Sequence, residues 1–280
     1  MTWHKQLKMV NTQDKVKQKT PVVNRQSVKG SGSRSDLKIE PGEIHLWLAF
    51  PDEMDPRLVS ACEALLSENE RARMERFRFE KDRRLCLAAR ALARMALAGY
   101  AGRDPREIRF QENRWGKPRI AGPKPMPPLR FNLSHTDGLV LFGATLENEI
   151  GVDVERLDRE NMDMKAIARR FFSPPEAAHV ARSPRERRAE VFFRLWTLKE
   201  AFIKARGRGL SIPLDSFYFN ILKKKEIQVC FPDCGQDSEE WLFFTERPAK
   251  GHMAGVAVQK KGGPAPALQI KKALPGAFYP

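Results

Sequence analysis

The sequence predicts an α+β fold, and three observations carry that prediction. Residues 57–100 and 165–205 place apolar side chains at helical spacing, including a long Ala- and Leu-rich run from about Lys81 to Ala98. Short alternating runs such as IHLWLAF (44–50), LVLFGATL (139–146) and IGVDVERL (150–157) read as strands, and FYFNIL, EIQVCF, WLFFTE and HMAGVAVQ add a closing meander. Strand, helix, strand, strand patterns also fall on both sides of about Glu147.

A chain of 280 residues with 41% hydrophobic content can build one large core or two small ones. Its formal charge of +15 invites a nucleic-acid reading. The distribution argues otherwise: residues 1–42 hold nine Lys or Arg against three acids, and residues 260–280 hold four Lys and no acid, leaving only +5 for the body. Residues 1–42 are accordingly read as a flexible extension and 260–280 as a flexible tail, with 43–147 and 148–259 as two halves between them. Cys62, Cys86, Cys230 and Cys234 lack the paired spacing of a zinc site and read as free or buried thiols. No apolar run reaches the roughly 18 to 20 residues of a membrane span, and no apolar signal core opens the chain. The expectation is a reducing cytoplasm, with no membrane and no nucleic acid as partner.

Order begins at Glu43, and Pro51 to Pro56 closes the first strand. Ser67 and Glu70 have the spacing of a capping box. In the helix that follows, Leu85, Ala88, Ala89, Leu92 and Ala96 form an apolar seam. Arg83, Arg90 and Arg94 share a stripe which, with Arg73 and Arg76, is either a solvated basic face or a pocket for phosphates. IRFQEN reads as a strand, RWGKPRI as a tight turn exposing Lys117, and AGPKPMPP as a loop. FNLSHTDG reads as a loop with Ser134 and His135 at its mouth; nothing around them completes a nucleophilic triad. The strand 139–146 turns at 147–149 and returns as a hairpin partner, in which Ile150, Val152 and Val154 face one side and Asp153 and Glu155 the other. Two carboxylates at i,i+2 repel each other. They belong either to a hard cation with oxygen ligands or to a solvated hairpin face.

Ser173 and Ser183 stand as helix caps, with Glu176 and Glu186 three residues on. In WTLKEAFIKARGRGL, Leu198, Ala201, Phe202 and Ala205 share one helix face while Trp196, Glu200 and Lys204 share the opposite one; Gly207, Gly209 and Pro213 end the helix. On spacing alone, Glu200 and Lys204 form an ordinary surface ion pair.

Taken in order, RWGKP, NLSH, GVDVE, RRFFSPPE and LWTLKEAFIKARGRGL resemble the motifs of the surfactin-type 4′-phosphopantetheinyl transferases, over roughly residues 43–259. The resemblance implies a monomer of two similar α/β halves related by a pseudo-twofold, with coenzyme A in the cleft between them. It implies transfer of the phosphopantetheine arm of coenzyme A to a serine of an apo acyl or peptidyl carrier protein, with release of adenosine 3′,5′-bisphosphate and dependence on Mg²⁺. By the same resemblance Asp153, Glu155 and Glu200 match the metal ligands, and either Glu200 or Lys204 activates the carrier serine. The reading preferred is Glu200 as base and Lys204 as phosphate ligand. Ser134, His135 and Lys117 match coenzyme A contacts; Arg73 and Arg90, then Arg83 and Arg84, are the candidates for its remaining phosphates. Two rivals stand beside it: a basic nucleic-acid-binding protein, and a coenzyme A binder without turnover, against which the intact Asp153, Glu155, Glu200 and Lys204 argue.

Overall fold

The computed structural model describes residues 23–27, 37–121, 128–159, 162–222, 226–231, 241–260 and 267–272. All but Ser27 of the SVKGSGSRSD stretch, most of the proline-rich loop and Cys234 lie outside them.

The same order of elements occurs twice. The first copy runs through β2 (Glu43–Ala49), α1 (Pro56–Glu63), α2 (Glu68–Glu75), α3 (Glu80–Ala101), a hairpin of β3 (Arg109–Glu112) and β4 (Pro118–Ala121), then β5 (Leu129–Thr136) and β6 (Leu139–Leu146). The second runs through β7 (Ile150–Arg156), α4 (Met164–Phe171), α5 (Pro174–Arg182), α6 (Arg185–Arg206), a hairpin of β8 (Tyr218–Leu222) and β9 (Glu226–Cys230), then β10 (Trp241–Glu246) and β11 (His252–Gln259). Strand pairing repeats as well. β6 lies between β2 and β5, and β11 lies between β7 and β10, all antiparallel. Both long helices, α3 and α6, have 22 residues and stop at a left-handed glycine, Gly102 and Gly207.

Each strand's two faces explain the layers. Val140, Phe142 and Ala144 of β6 pack with Trp47 against α3, while Leu139 and Leu141 join Ile44, Leu46 and Leu48 in a core shared with Ile150, Val152 and Val154 of β7 and Ala254, Val256 and Val258 of β11. The two sheets therefore lie face to face between the two sets of helices. This corrects the hairpin expected for β6 and β7. They pair in different sheets, because each carries an apolar face that is buried by stacking on the other; Ile150 and Val152 occupy the space a side chain on Gly143 would take.

The flanking segments also differ from expectation. β12 (Ala267–Lys272) inserts parallel to β2, and β1 (Val23–Ser27) runs parallel to β12 at the sheet's edge, giving the order β1-β12-β2-β6-β5. The Lys, Gly and Pro content around ALQIKK hid a two-residue alternation that buries Leu268 and Ile270 in the shared core.

Several local readings change too. FNLSHT is strand β5 and not a loop; the turn is Asp137–Gly138, a two-residue hairpin connection to β6. Ser67 and Ser173 close their capping boxes. Ser183 ends α5 instead of starting α6, whose N-cap is Pro184. Among the described residues no helix is long and apolar enough to cross a membrane.

Candidate functional site

Where β5 and β7 meet edge to edge, side chains do the stitching. Asn132 Oδ1 accepts the Val152 N–H at 2.9 Å, and Ser134 Oγ accepts the Val154 N–H at 3.3 Å. These amides point away from β11, so without Asn132 and Ser134 they would be unpaired donors. Asn132 was missed in sequence reasoning; its signal was the i,i+2 spacing to Ser134, which only a strand puts on one face.

The same edge carries the charges. Because Ile150, Val152 and Val154 face the shared core, Asp153 and Glu155 face α6. α6 comes unusually close to that face: a Cβ on Gly151 would stand 1.9 Å from the Ala201 carbonyl oxygen, and one on Gly255 2.4 Å from that of Thr197. Two glycines thus let the helix backbone rest on the sheet, which brings Lys204 within reach of β7.

Lys204 Nζ lies 2.6 Å from Asp153 Oδ1 and donates to Ser134 Oγ at 3.0 Å; Ser134 donates in turn to Asp153 Oδ1 at 2.9 Å. The surface ion pair expected between Glu200 and Lys204 does not form, because Asp153 is the carboxylate Lys204 reaches. Asp153 is 5% exposed and its Oδ2 is buried without a hydrogen-bond partner. Burial, then the Asp153 charge, raises the Glu155 carboxyl to about 7, although Arg159 pairs with it. Burial and Asp153 raise Glu200 as well. Among the described residues no three His, Cys, Asp or Glu side chains enclose a metal by themselves. The donor set nevertheless fits a hard divalent cation: it is all oxygen, it includes an orphaned buried carboxylate oxygen, and Mg²⁺ takes few protein carboxylates and completes its shell from substrate and water.

His135 points to the other side of β5 from Ser134. Desolvation, then the charges of Lys204 and Arg90, hold its imidazole below the ordinary range. Arg90, half-buried on α3, is therefore near His135, and among the described residues it has no carboxylate or hydrogen-bond partner. Arg73 is exposed on α2. Arg84 donates to the Met54 carbonyl at 3.1 Å and stands 4.0 Å from Glu80, and Arg83 bonds the Phe77 carbonyl. Arg94 leaves the basic stripe altogether: it is 2% exposed and bound to Glu70.

Lys117 is a correction. Instead of standing exposed, it is 15% accessible, paired to Glu149 at 2.7 Å and donating to the carbonyls of Ala205 at 2.9 Å and Ile150 at 3.3 Å. Hairpin β3–β4 folds over the C-terminus of α6, where unpaired carbonyls attract a cation, and Asn113 donates to Gly207 O there as well. Trp196 stacks on Phe192, one turn back along the stripe that carries Glu200 and Lys204, 5.7 Å between ring centres.

Comparison with known proteins matches both halves. The model of the 4′-phosphopantetheinyl transferase superfamily covers residues 149–257, and that of the 4′-phosphopantetheinyl transferase N-terminal region covers 54–147. The 4′-phosphopantetheinyl transferase HetI of Nostoc sp. (strain PCC 7120) is 34% identical over 227 residues, 80% of this chain and 90% of that protein. The 4′-phosphopantetheinyl transferase Sfp of Bacillus subtilis (strain 168) is 31% identical over 170 residues, 61% of this chain and 73% of its own length. A solved holo-(acyl-carrier-protein) synthase from Bacillus anthracis, in complex with CoA (3′,5′-ADP), overlays on 41% of this chain and 96% of its own at 17% identity and a TM-score of 0.34. With both halves matched and nine-tenths of HetI spanned at this identity, the chain belongs to the 4′-phosphopantetheinyl transferase family.

Proposed function

We propose that this chain transfers the 4′-phosphopantetheine arm of coenzyme A to a serine of an apo acyl or peptidyl carrier protein, releasing adenosine 3′,5′-bisphosphate. The strongest support is the convergence of Ser134 from β5, Asp153 from β7 and Lys204 from α6 on one buried carboxylate whose Oδ2 remains free. A diphosphate must shed charge onto its leaving group during such a transfer, so donors and cations at the seam between the halves are what the reaction requires.

Asp153, Glu155 and Glu200 would hold a Mg²⁺, which supplies charge neutralisation on the diphosphate when bound. Lys204 already donates to two oxygens, so its role is to donate hydrogen bonds to a phosphoryl oxygen, orienting it. Glu200 has no such donor role and accepts the proton of the carrier serine as the new O–P bond forms and the bond to the bisphosphate breaks. Ser134 holds Asp153 and Lys204 in register. Arg90 and His135 bind phosphates of the nucleotide, with Arg73 at the outer rim; Lys117 and Arg84, whose donors are engaged, support the walls. The proposal includes a monomer working in a reducing cytoplasm, in keeping with the free thiols of Cys62, Cys86 and Cys230.

The test is a mass shift. With coenzyme A and Mg²⁺, an apo carrier should gain about 340 Da, the mass of the phosphopantetheine group moved by phosphoryl-transfer chemistry, and the gain should vanish with a chelator in excess. One apo carrier each from fatty acid, polyketide and non-ribosomal peptide assembly would be assayed; no gain on any of them would sink the proposal.

A further inference from the structure

The two halves share a buried device that their sequences disguise. In the first, Ser67 N–H and Oγ both donate to Glu70 Oε2 at 2.9 Å, and that oxygen also takes Arg94 of α3, at 2.6 Å from its NH2 group. Arg94 then donates to the carbonyls of Pro105 and Ile108, each at 2.9 Å, and its guanidinium lies 5.6 Å from the centre of the Phe110 ring. In the second, Ser173 N–H and Oγ donate to Glu176 Oε2 at 3.2 and 2.6 Å, and that oxygen pairs with Lys199 of α6 at 2.8 Å. Lys199 donates to the carbonyls of Leu214 and Phe217, each at 2.7 Å, and lies 4.3 Å from the Phe217 ring centre and 5.9 Å from that of Phe219.

Part answers to part. A capping-box glutamate at the start of the preceding short helix binds a cation in the middle of the long helix. That cation closes on two carbonyls three residues apart, one on the first residue of a 3₁₀ turn (Pro105–Glu107, Leu214–Ser216) and one on the residue that follows the turn, with an aromatic of the next strand beside it. Arg94 is 2% exposed and Lys199 0%. A buried ion pair contributes little net stability compared with apolar residues of the same volume, since desolvation offsets attraction. Two copies of one call for a further consequence, and helix angle is the quantity both fix. Each cation ties its long helix to the helix before it and to the turn after it, which blocks rotation about the helix axis. Glu200 adjoins Lys199, and Lys204 lies on the same helix; Arg90 lies one turn before Arg94.

We propose that Arg94 and Lys199 are positioning residues of the transfer reaction, each the buried pin that sets the angle at which its helix presents substrate-facing side chains. α3 would thereby aim Arg90 at the nucleotide, and α6 would aim Glu200 and Lys204 at the reacting phosphate; this rests on the transferase reading above. Each half supplies the control for the other. The two pins are alike in burial and partners, so a merely structural role makes their loss equivalent, whereas positioning separates them.

The experiment measures kcat and KM for coenzyme A on the full chain with an apo carrier, at a temperature where circular dichroism shows every variant folded. Lys199→Met should lower kcat about 10- to 100-fold with KM for coenzyme A within about threefold, the effect of displacing reacting groups by a fraction of an ångström to an ångström. Arg94→Met should do the opposite, raising that KM about tenfold with kcat nearly unchanged. Lys199→Arg and Arg94→Lys, which keep charge and donors, should recover part of each loss. If a methionine variant does not fold, Glu176→Gln or Glu70→Gln takes its place and the same separation is read. Equal losses in both halves, or wild-type constants in either folded variant, overturn the proposal. Should the wild-type chain transfer nothing, the transferase reading fails by itself, and coenzyme A binding decides: weakened by Arg94→Met and unchanged by Lys199→Met if the pins position, altered equally or not at all if they do not.

Discussion

Lys199 and Lys204 stand on the same helix, five residues apart, and they are opposites. Lys199 is fully enclosed: its three donors meet Glu176, Leu214 O and Phe217 O, and aromatic rings fill the remaining space. Burial pulls its pKa down and Glu176 opposes that pull, so the charge is held by partners on every side. Lys204 is 29% exposed, and the carboxylate it binds has one oxygen satisfied and one left bare in a buried place. A closed polar cluster fixes structure, because nothing remains for a ligand to bind. An incomplete one is where a ligand can be accommodated, since it would supply the missing partner.

Substitutions can break this contrast, and the largest effects should come from the incomplete side. Lys204→Ala or Asp153→Ala should reduce carrier modification by about 10²- to 10⁴-fold, the range for loss of an electrostatic group acting on the transition state. For Asp153→Ala the melting temperature should hold or rise, since a buried unpaired oxygen disappears. A fall in melting that tracks the loss of activity would place Asp153 with the structural groups instead. Next comes Lys199→Ala, which strands Glu176 as a buried carboxylate and should remove about 3–5 kcal/mol in a denaturant titration; a change below about 1 kcal/mol would show the cluster to be less closed than its contacts.

Gly151→Ala tests the surface that both lysines share. Its Cβ would fall on the Ala201 carbonyl, so α6 must move off the sheet, with an expected loss of about 1–3 kcal/mol from overpacking and a drop in turnover alongside it. Stability and turnover that both match wild type would mean the helix is not pressed onto β7. The mildest change is Ser134→Ala, which removes one hydroxyl from the Asp153–Lys204 contact and from the Val154 amide. It should lower stability by about 1 kcal/mol and activity several-fold, and an activity loss as large as that of Asp153→Ala would promote Ser134 to a direct substrate contact.

How much of this was legible in the sequence depends on the range over which each feature is determined. Local patterns read well: the capping box at Ser67–Glu70, the long helix now bounded at Glu80–Ala101, and the alternation that sends Asp153 and Glu155 away from the apolar face of β7. Features set by a distant partner did not. LVLFGATL and IGVDVERL have the look of a hairpin, and only the burial of both faces shows that they stack instead of pairing. Lys117 read as an exposed turn residue, Arg94 as part of a solvated basic face or a phosphate pocket, and Lys199 drew no reading, because the carbonyls and carboxylates that bind all three come from elsewhere in the chain. The internal repeat was hidden for a related reason. The equivalent pins are an arginine and a lysine, and the boxes that hold them read SENE and SPPE; what the halves preserve is the geometry of a charge and two carbonyls.

β12 carries a consequence for how the molecule is made. Ala267 to Lys272 lie directly against Glu43 to Leu48, so a strand that opens the first half is flanked by one made after the second half is complete. Until that late strand arrives, one edge of β2 offers unpaired amides and carbonyls, although β6 can already occupy the other. The first half can gather its helices early, but its sheet is completed only after the whole second half has been synthesised. Folding of the two halves is thereby coupled in time as well as in space, with the slow, long-range closure expected of pairings distant in the chain.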